Sequence, residues 1–339
     1  MIAGSAGAAA ESLLTYPFEC YKVGQQLHKA LPLEPPFQVP SQIKRIFAGS
    51  GSLVLGNSLK ASTRFLVYNY ASKFMANDHG KTTAPRVVVA ASMTGIVESL
   101  WIIPFENIKT LMIHNAYILS IRDTMAAKNG VDARTYTEQK LAELLAERKR
   151  ALASAALAQS GVRKVADTFT ALEQAQLKWF KLPSQHFTSS IKEIYECRGV
   201  RGFLQGTGVT LLRQTCNTAV FFSTYQGLKQ LISPTSSAAG ATNSPVMSAI
   251  LGATAAAVVV AATQPIDVVK TRVQSKYGYR NSIDAGLQLV HQEGFAKLWA
   301  GWMPRLVKFS ISSGITVTVY NYVSGALTMA SRETPFAAD

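Results

Sequence analysis

The chain has 339 residues, of which 48% are hydrophobic and 16% are charged, and its formal net charge is +14. This length allows two or three soluble domains or one polytopic membrane domain. The basic residues lie at the ends of apolar stretches or singly inside them, which argues against nucleic-acid binding. Three cysteines and five histidines without metal-like spacing argue against a disulfide framework and a zinc site.

The first predicted helix covers residues 1–27. Its apolar start lacks the basic region of a secretory signal peptide and contains Glu11, so we interpret it as a structural helix rather than a cleaved leader. Near its end, Pro17, Glu19 and Lys22 form a Pro-x-acid-x-x-Lys motif. The proline is expected to kink the helix because it removes one backbone hydrogen bond.

The second predicted helix, 50–76, contains two cations inside an otherwise mostly apolar and small-residue stretch. Lys60 and Arg64 are four residues apart and therefore share one helix face. Charges at mid-membrane are costly and usually face a polar cavity. We therefore expect both side chains to bind an anionic substrate, and snorkelling to lipid headgroups is the weaker alternative.

The third predicted helix, 86–114, repeats the motif at Pro104, Glu106 and Lys109. A long insert follows at about 117–183. Its middle, 136–150, has leucines at helical spacing among charged residues, which predicts a solvated amphipathic helix. We expect the insert as a whole to be an exposed excursion with little fixed structure.

The remaining three predicted helices carry related features. The fifth, 246–275, contains the third copy of the motif at Pro265, Asp267 and Lys270. The fourth, 207–231, and the sixth, 303–329, carry polar and cationic candidates for substrate binding, namely Arg213, Gln214, Asn217, Arg305 and Lys308. Several cations that converge on one cavity favour a polyanionic ligand, and guanidinium groups bind carboxylates in a bidentate manner.

Two acids precede motif prolines by six residues each, Glu11 in the first helix and Glu98 in the third. An acid in a cationic cavity could orient substrate hydroxyls, tune the charge of a cation or carry a coupled proton. It could equally be a structural counter-ion for Lys60 or Arg64. The sequence leaves both interpretations open.

Two patterns recur at constant spacing along the chain. The proline motif occurs three times, and a glycine is followed nineteen residues later by a tyrosine in the pairs Gly49–Tyr68, Gly206–Tyr225 and Gly301–Tyr320. This recurrence indicates three tandem repeats of about 100 residues, with boundaries at 1–80, 81–239 and 240–339. Each helix is long enough to cross a hydrocarbon core of about 30 Å, and the internal charges require a bundle around a polar interior.

The tripled motif resembles the signature of the mitochondrial carrier family. The resemblance implies an all-α integral membrane protein with six tilted transmembrane helices in a threefold pseudo-symmetric bundle. It also implies a short matrix helix in each repeat and one central substrate site with alternating access. We therefore expect a multi-pass protein of the mitochondrial inner membrane that works as a monomer and binds membrane lipid, such as cardiolipin, at its matrix-side helix ends.

The family pattern also implies two gates. On the matrix side each motif acid would pair with the lysine of the next repeat, in the pairs Glu19–Lys109, Glu106–Lys270 and Asp267–Lys22. At the cytoplasmic side the acids that usually follow the repeated tyrosines are absent. We expect a weaker gate there, built from amides, one lysine and the tyrosines: Tyr68, Asn69, Tyr225, Gln226, Lys229, Tyr320 and Asn321.

Within the family, several stretches resemble tricarboxylate (citrate) carriers. They include Asn57 with Lys60 on the second helix and Arg305 on the sixth, and they place Asn57 among the substrate-binding candidates. One departure is Phe221, which stands where those carriers have a second basic residue on the fourth helix. The site is therefore compatible with a smaller or less charged acid.

Together these features predict exchange of citrate or related tri- and dicarboxylates. No nucleophile–base arrangement, phosphate-binding loop or metal ligand set occurs in the sequence, so neither an enzyme nor a cofactor is expected. Two alternatives remain open. The chain could carry another anion, such as an oxoacid or a nucleotide, or it could be a carrier-fold membrane scaffold that transports nothing and acts through its insert.

Overall fold

The computed structural model describes residues 2–27, 40, 42–74, 84–130, 171–232, 245–275 and 282–333, together with positions 132, 135, 138 and 142. All secondary structure in these residues is helical, so the expected all-α fold is confirmed. The helices are α1 (Ile2–Leu14), α2 (Tyr16–Leu27), α3 (Ile43–Ile46), α4 (Ser50–Phe74), α5 (Ala84–Asn129), α6 (Ala171–Lys181), α7 (Phe187–Arg198), α8 (Thr207–Ile232), α9 (Pro245–Gln274), α10 (Ser282–Glu293) and α11 (Trp302–Glu333), with short 3₁₀ segments at Val200–Leu204 and Phe295–Trp299.

Each of the six predicted spans lies on helix in the structure. The first is divided at Thr15 into α1 and α2, and the others correspond to α4, α5, α8, α9 and α11. Helices α5 and α9 run through Pro104 and Pro265 without a break. By length and composition, one stretch of the described residues, Ile250–Gln274, is apolar enough to cross a membrane, with a mean hydropathy of 1.4.

Helix α5 continues past its predicted end at residue 114 and stops at Asn129. Ile118, Ile121 and Ala126 on this extension are buried. The expectation of little fixed structure from about residue 117 is therefore wrong for positions 117–129, which are helical, and the expectation of exposure is wrong for one face of this helix. The physical reason is that neighbouring elements, rather than solvent, cover this face of the helix.

Helix α6, which also lies within the predicted insert, is fixed against α5. The Arg122 guanidinium donates to the Phe180 carbonyl at 2.5 Å and lies 4.7 Å from the centre of the Phe180 ring. It thereby satisfies backbone acceptors that the end of α6 leaves without helical partners. The amphipathic helix predicted at 136–150 lies outside the described residues except at positions 138 and 142, which are helical and exposed.

Each repeat has a tight loop with a positive-φ glycine before its second long helix: Gly49 (88°), Gly206 (80°) and Gly301 (79°). Glycine is favoured there because a Cβ crowds the backbone in the left-handed region. A Cβ on the first would lie 3.2 Å from the Lys109 carbonyl, one on the second 3.2 Å from Gln274 Cγ, and one on the third 3.1 Å from the Lys22 carbonyl. Each repeat thus touches the motif segment of the next, and the third touches the first.

Candidate functional site

The three motif copies meet as three buried ion pairs. Lys109 Nζ lies 2.7 Å from Glu19 Oε1, Lys270 Nζ lies 2.6 Å from Glu106 Oε2, and Lys22 Nζ lies 2.7 Å from Asp267 Oδ2. The six side chains are between 3% and 13% exposed. These are the pairings that the sequence motif implied, and each joins two repeats. We call the six side chains the ion-pair ring: Glu19, Lys22, Glu106, Lys109, Asp267 and Lys270.

Two further cations contact acids of the ion-pair ring from other helices. Lys308 Nζ on α11 lies 3.0 Å from Glu19 Oε2, and Arg213 NH1 on α8 lies 3.5 Å from Asp267 Oδ1. Among the described residues, Glu106 has Lys270 alone as an ion-pair partner. Within this part of the chain, two of the three acids therefore contact two cations each, and the third contacts one.

A buried glutamine supports one of the ring pairs. Gln26 Nε2 donates to Asp267 Oδ2 at 3.0 Å, and Gln26 Oε1 accepts from the Thr271 hydroxyl at 2.6 Å. The Gln26 carbonyl accepts from Arg272 Nε at 2.5 Å. Because its polar atoms all have partners, the amide is held in one orientation inside the protein.

A cavity of about 210 Å³ lies next to the ion-pair ring. The described part of its wall includes seven cationic side chains and four carboxylates, an excess of three positive charges. The cations are Lys22, Lys60, Lys109, Arg213, Lys270, Arg305 and Lys308. The carboxylates are Glu11, Glu19, Glu106 and Asp267. An excess of buried positive charge favours an anionic ligand in this cavity.

Arg305 lines the cavity but is held by neutral groups. Its NH1 donates to Gln264 Oε1 at 3.0 Å, and its NH2 donates to Thr263 Oγ1 at 2.9 Å and to Asn217 Oδ1 at 3.3 Å. The residue is 3% exposed. These contacts fix the guanidinium and leave its charge without a carboxylate in hydrogen-bond contact in the described part of the chain.

The two acids outside the motif have different partners. Glu98 Oε2 lies 3.7 Å from Lys60 Nζ, and the Glu98 side chain is 2% exposed. This geometry favours the counter-ion interpretation for Glu98. Glu11 accepts a hydrogen bond from the Ser312 hydroxyl and lines the cavity.

Comparisons with known proteins decide the family. Residues 167–236 and 241–331 match the family described as Mitochondrial carrier protein. An uncharacterized mitochondrial carrier of Saccharomyces cerevisiae is 33% identical over 97% of this chain and 96% of its own length. This chain belongs to the mitochondrial carrier family. Members are transporters rather than enzymes, and the family places the protein in a mitochondrial membrane.

The mitochondrial carriers similar to this chain include two with named substrates. The mitochondrial citrate transporter A of Aspergillus niger is 30% identical over 96% of this chain and 91% of its own length. The tricarboxylate transport protein of Saccharomyces cerevisiae is 26% identical over 95% of this chain and 93% of its own length. The resemblance to tricarboxylate carriers that the sequence indicated is thereby confirmed.

The structure of this carrier separates the predicted substrate-binding residues into two groups. Those that line the cavity are Glu11, Asn57, Lys60, Arg213, Arg305 and Lys308. Three others lie behind its described wall: Gln214 packs against Gly95 of α5, Asn217 accepts from Arg305, and Glu98 faces Lys60. The side chain of Arg64 lies outside the described residues.

The predicted cytoplasmic gate of this carrier is largely outside the described side chains. Of its seven residues the structure describes Tyr225, whose ring stacks on Phe221 with centres 6.1 Å apart. The others are Tyr68, Asn69, Gln226, Lys229, Tyr320 and Asn321. The gate therefore remains a prediction.

Sequence reasoning missed the buried glutamine next to the ring. A signal was present, because Gln26 and Gln274 both lie nine residues after a motif proline and one helical turn after a motif lysine. The second repeat has Ile113 at this position. The glutamine is thus present in two of the three repeats. It also lies beyond the motif lysine, so a comparison of the motif copies that ends at the lysine does not include it.

Proposed function

We propose that this carrier exchanges citrate or related tri- and dicarboxylates across the mitochondrial inner membrane. The cavity carries the proposal, because its described wall combines seven cations with four carboxylates. Three of the carboxylates and three of the cations belong to the ion-pair ring, and the cations of the wall outside the ring are Lys60, Arg213, Arg305 and Lys308. The similarity to a citrate transporter and to a tricarboxylate transport protein supports the same substrate class.

The proposed architecture is a multi-pass bundle of six membrane spans with threefold pseudo-symmetry. Support comes from the cyclic order of the contacts between repeats. The ion pairs and the loop glycines each join the first repeat to the second, the second to the third and the third to the first. Because the contacts between repeats form a closed cycle within one chain, they require no second copy of the protein. We therefore propose that the carrier works as a monomer.

In the proposed transport cycle the ion-pair ring is the matrix gate, and the structure has the gate pairs formed. Buried ion pairs return little more than their desolvation costs. A ligand of modest affinity can therefore shift the population towards a state in which these pairs are separated. The tyrosines and amides of the predicted cytoplasmic gate would close the opposite end.

The proposed substrate contacts follow from the cavity wall. Lys60, Arg213 and Lys308 would bind carboxylates, and Arg64 would join them from the same helix face as Lys60. Asn57 and Glu11 would contact hydroxyl or carboxyl groups. Asn217 and Glu98 contact Arg305 and Lys60, which line the cavity, and these contacts support a positioning role for both residues.

Anionic membrane lipid, such as cardiolipin, is the second proposed partner. A cavity of about 420 Å³ lies between the starts of α4 and α7, and Lys44, Arg45 and His186 line it. Helix N-termini favour negative groups because their first N–H groups have no helical acceptor. This supports the expectation of lipid binding at the matrix-side helix ends.

The test of the proposed function is uptake of labelled citrate by liposomes that contain the purified protein. The liposomes are preloaded with citrate, malate, oxoglutarate, ATP or nothing. We expect uptake with internal citrate or malate, and a loss of about tenfold or more in Arg213→Ala because a desolvated carboxylate loses its partner. Arg201→Ala, at an exposed position of the 3₁₀ segment that precedes α8, is the matched control and should transport normally.

The other outcomes separate the alternatives. Uptake that requires internal oxoglutarate or ATP would support a carrier role but would assign a different exchanged substrate. Absence of uptake with every preload, from protein shown to be folded, would contradict transport and favour a scaffold role. An equal loss of citrate uptake in Arg213→Ala and Arg201→Ala would show that transport does not depend specifically on the cation in the cavity.

A further inference from the structure

The helices that follow the three loop glycines can be compared level by level. Because the glycines occupy equivalent positions in the repeats, residues at equal distances after them lie at similar depths on α4, α8 and α11. Eleven residues after the glycine the chain has Lys60, Asn217 and Ser312. Lys60 and Ser312 line the cavity, and Asn217 contacts Arg305, which also lines it. This level is therefore the level of the cavity.

The next level, fifteen residues after the glycine, differs among the repeats. It has Arg64 in the first repeat, Phe221 in the second and Thr316 in the third. Four residues of helix span about 6 Å, so this level follows the cavity level on the side away from the ion-pair ring. The repeats thus supply one cationic, one aromatic and one hydroxyl residue at this depth.

Phe221 lies on the inward side of α8. Arg213, Asn217 and Phe221 are half-buried and four residues apart, so they share one side of the helix. Arg213 contacts Asp267 and Asn217 contacts Arg305, which shows that this side faces the interior of the protein. The exposed positions of α8 follow the helical period on the opposite side, and they are Gly208, Leu212, Thr215, Ala219 and Ser223.

The aromatic surface extends one turn further along α8. The rings of Phe221 and Tyr225 are nearly parallel, with centres 6.1 Å apart and an angle of 12° between their planes. Such a stack restricts both rings. The face of an aromatic ring carries partial negative charge, so it repels a carboxylate and offers it no hydrogen-bond donor.

The cations at and beyond the cavity level come from one of these three helices. Helix α4 has Lys60 and Arg64. On α8 the next basic residue after Arg213 is Lys229, sixteen positions and about 24 Å further along the helix. On α11 the twenty-three residues after Lys308 include no basic residue. Among these helices, the positive charge at this depth therefore lies on the α4 side alone.

We propose that Phe221 is a specificity-determining residue that makes this carrier prefer dicarboxylates to tricarboxylates. This inference rests on the proposed transport function and narrows its substrate class. One carboxylate of the ligand binds near Arg213 and Lys308, and a second binds to Lys60 on α4. A third carboxylate directed at α8 meets the Phe221 ring instead of a cation.

The cost to a third carboxylate follows from the burial of charge. A carboxylate that leaves water without a cation or a donor as partner loses its hydration and gains nothing in return. A tricarboxylate must therefore bind in a shallower position, with one carboxylate still hydrated, or lose that hydration at the ring. Tricarboxylates remain substrates, but of lower efficiency.

Two acids that differ by one carboxylate test this preference. Tricarballylate is glutarate with an additional carboxylate on its central carbon. Liposomes that contain the purified protein and internal malate take up labelled malate, and each acid is added outside as a competitor. We expect glutarate to reach half-maximal inhibition at a concentration about tenfold lower than tricarballylate, because all of its carboxylates have partners.

Substitutions at Phe221 test whether this residue sets the preference. Phe221→Arg should lower the inhibitory concentration of tricarballylate by about tenfold and change that of glutarate by less than about twofold, since a guanidinium binds a carboxylate through two hydrogen bonds. Phe221→Leu removes the ring without adding charge, so it is the matched control and should keep the preference for glutarate. Phe221→Gln supplies an amide donor, should show a smaller gain, and replaces Phe221→Arg if that variant does not fold.

The outcomes separate this inference from the proposed function. Equal inhibition by the two acids in the unmodified protein would overturn the inference and leave the carrier function intact. An equal gain for tricarballylate in Phe221→Leu and Phe221→Arg would also overturn it, because side-chain volume rather than charge would then set the preference. Absence of malate exchange would refute the proposed function. In that event thermal stabilisation of the protein in detergent still decides: stabilisation at lower concentrations of glutarate supports the inference, and equal stabilisation by both acids overturns it.

Discussion

Arg213 and Arg305 line the same cavity, yet their contacts give them different roles. Arg305 is 3% exposed and donates to Gln264, Thr263 and Asn217, which are neutral. Its position is fixed by the protein, and within the described residues its charge has no carboxylate in hydrogen-bond contact. Arg213 contacts Asp267 at 3.5 Å and keeps an unpartnered Nε. Of the two, Arg213 is the side chain that can change partner.

Gln26 provides the first prediction at this scale. Replacement by Leu keeps the approximate volume but removes the amide that donates to Asp267 and accepts from Thr271. We expect the free energy of unfolding to fall by about 1–3 kcal/mol, because buried polar groups lose their partners. Thermal or denaturant unfolding in detergent measures the loss. Gln25→Leu, at the half-buried neighbour, is the control, and an equal loss there would contradict the prediction.

Gly24 provides a second prediction. A Cβ at this helical position would lie 2.2 Å from Cζ of Tyr117, which packs on it from the extension of α5. Gly24→Ala should therefore lower the free energy of unfolding by about 1–3 kcal/mol, although alanine is the better helix former. The double variant Gly24→Ala with Tyr117→Leu should recover part of the loss.

The control for this prediction is Gly227→Ala. Gly227 is helical, and a Cβ there would meet no atom within 4 Å. The substitution should be neutral or slightly stabilising because alanine restricts the unfolded chain. A loss at Gly24 no larger than that at Gly227 would show that the tyrosine contact is unimportant.

Much of the ring was predictable from sequence, and the reason is specific to its residues. The acid and the lysine of each motif are three residues apart on one helix, and the resemblance to the mitochondrial carrier family implied which acid pairs with which lysine. The contacts of Lys308 and Arg213 with Glu19 and Asp267 were not predictable in this way. They depend on how far α11 and α8 lie from the ring, and only the packed structure gives those distances.

At the scale of elements, the extension of α5 shows where sequence reasoning fails. Residues 115–123 place the polar residues Asn115, Arg122 and Asp123 among apolar ones, and the sequence does not show which elements these polar side chains contact. In the structure Asn115 donates to Glu193 of α7 at 2.9 Å, and Arg45 of α3 pairs with Asp123 at 2.6 Å. These partners are 78 residues away in sequence, so no local pattern indicates that the segment is covered.

The docking of α6 on α7 leads to a prediction about pH. Lys178 Nζ and Trp179 Nε1 donate to Glu196 Oε2 at 3.0 and 2.8 Å. Their hydrogen bonds lower the pKa of the Glu196 carboxyl below its ordinary value of 4.5. The folded state thus favours the ionised form. The contribution to docking is present at neutral pH and is lost as the pH falls through the lowered pKa.

Hydrogen exchange of α6, corrected for intrinsic rates, measures this effect. Protection in the unmodified protein should be constant from neutral pH down to about pH 4.5 and should then decline. Glu196→Gln should show weaker protection at neutral pH and little change over the same range. Lys192→Gln removes only a contact of 3.9 Å to the other oxygen and is the control. A pH profile that Glu196→Gln leaves unchanged would assign the decline to another group.

At the scale of the whole molecule, each repeat packs on the next through a loop glycine, and the three glycines face different atoms. A Cβ at Gly49 would meet the hydroxyl of the buried Tyr16 and the Lys109 carbonyl, and one at Gly301 would meet the Lys22 carbonyl; the two carbonyls cannot move without displacing a helix. Gly206 lies against the side chain of Gln274, which can rotate away. The joint between the second and third repeats is therefore the most tolerant of change, and in the described part of the chain its acid, Glu106, has a single ion-pair partner.

This difference gives the final prediction. Alanine at any of these glycines should cost about 1 kcal/mol in the free energy of unfolding because φ is positive. Gly294→Ala measures that cost alone, since φ there is 88° and a Cβ would meet no atom within 4 Å. Gly206→Ala should resemble this control, whereas Gly49→Ala and Gly301→Ala should lose a further 1–3 kcal/mol or so, as overpacked contacts do. Equal losses in all four variants would mean that the joints between repeats are equally tight.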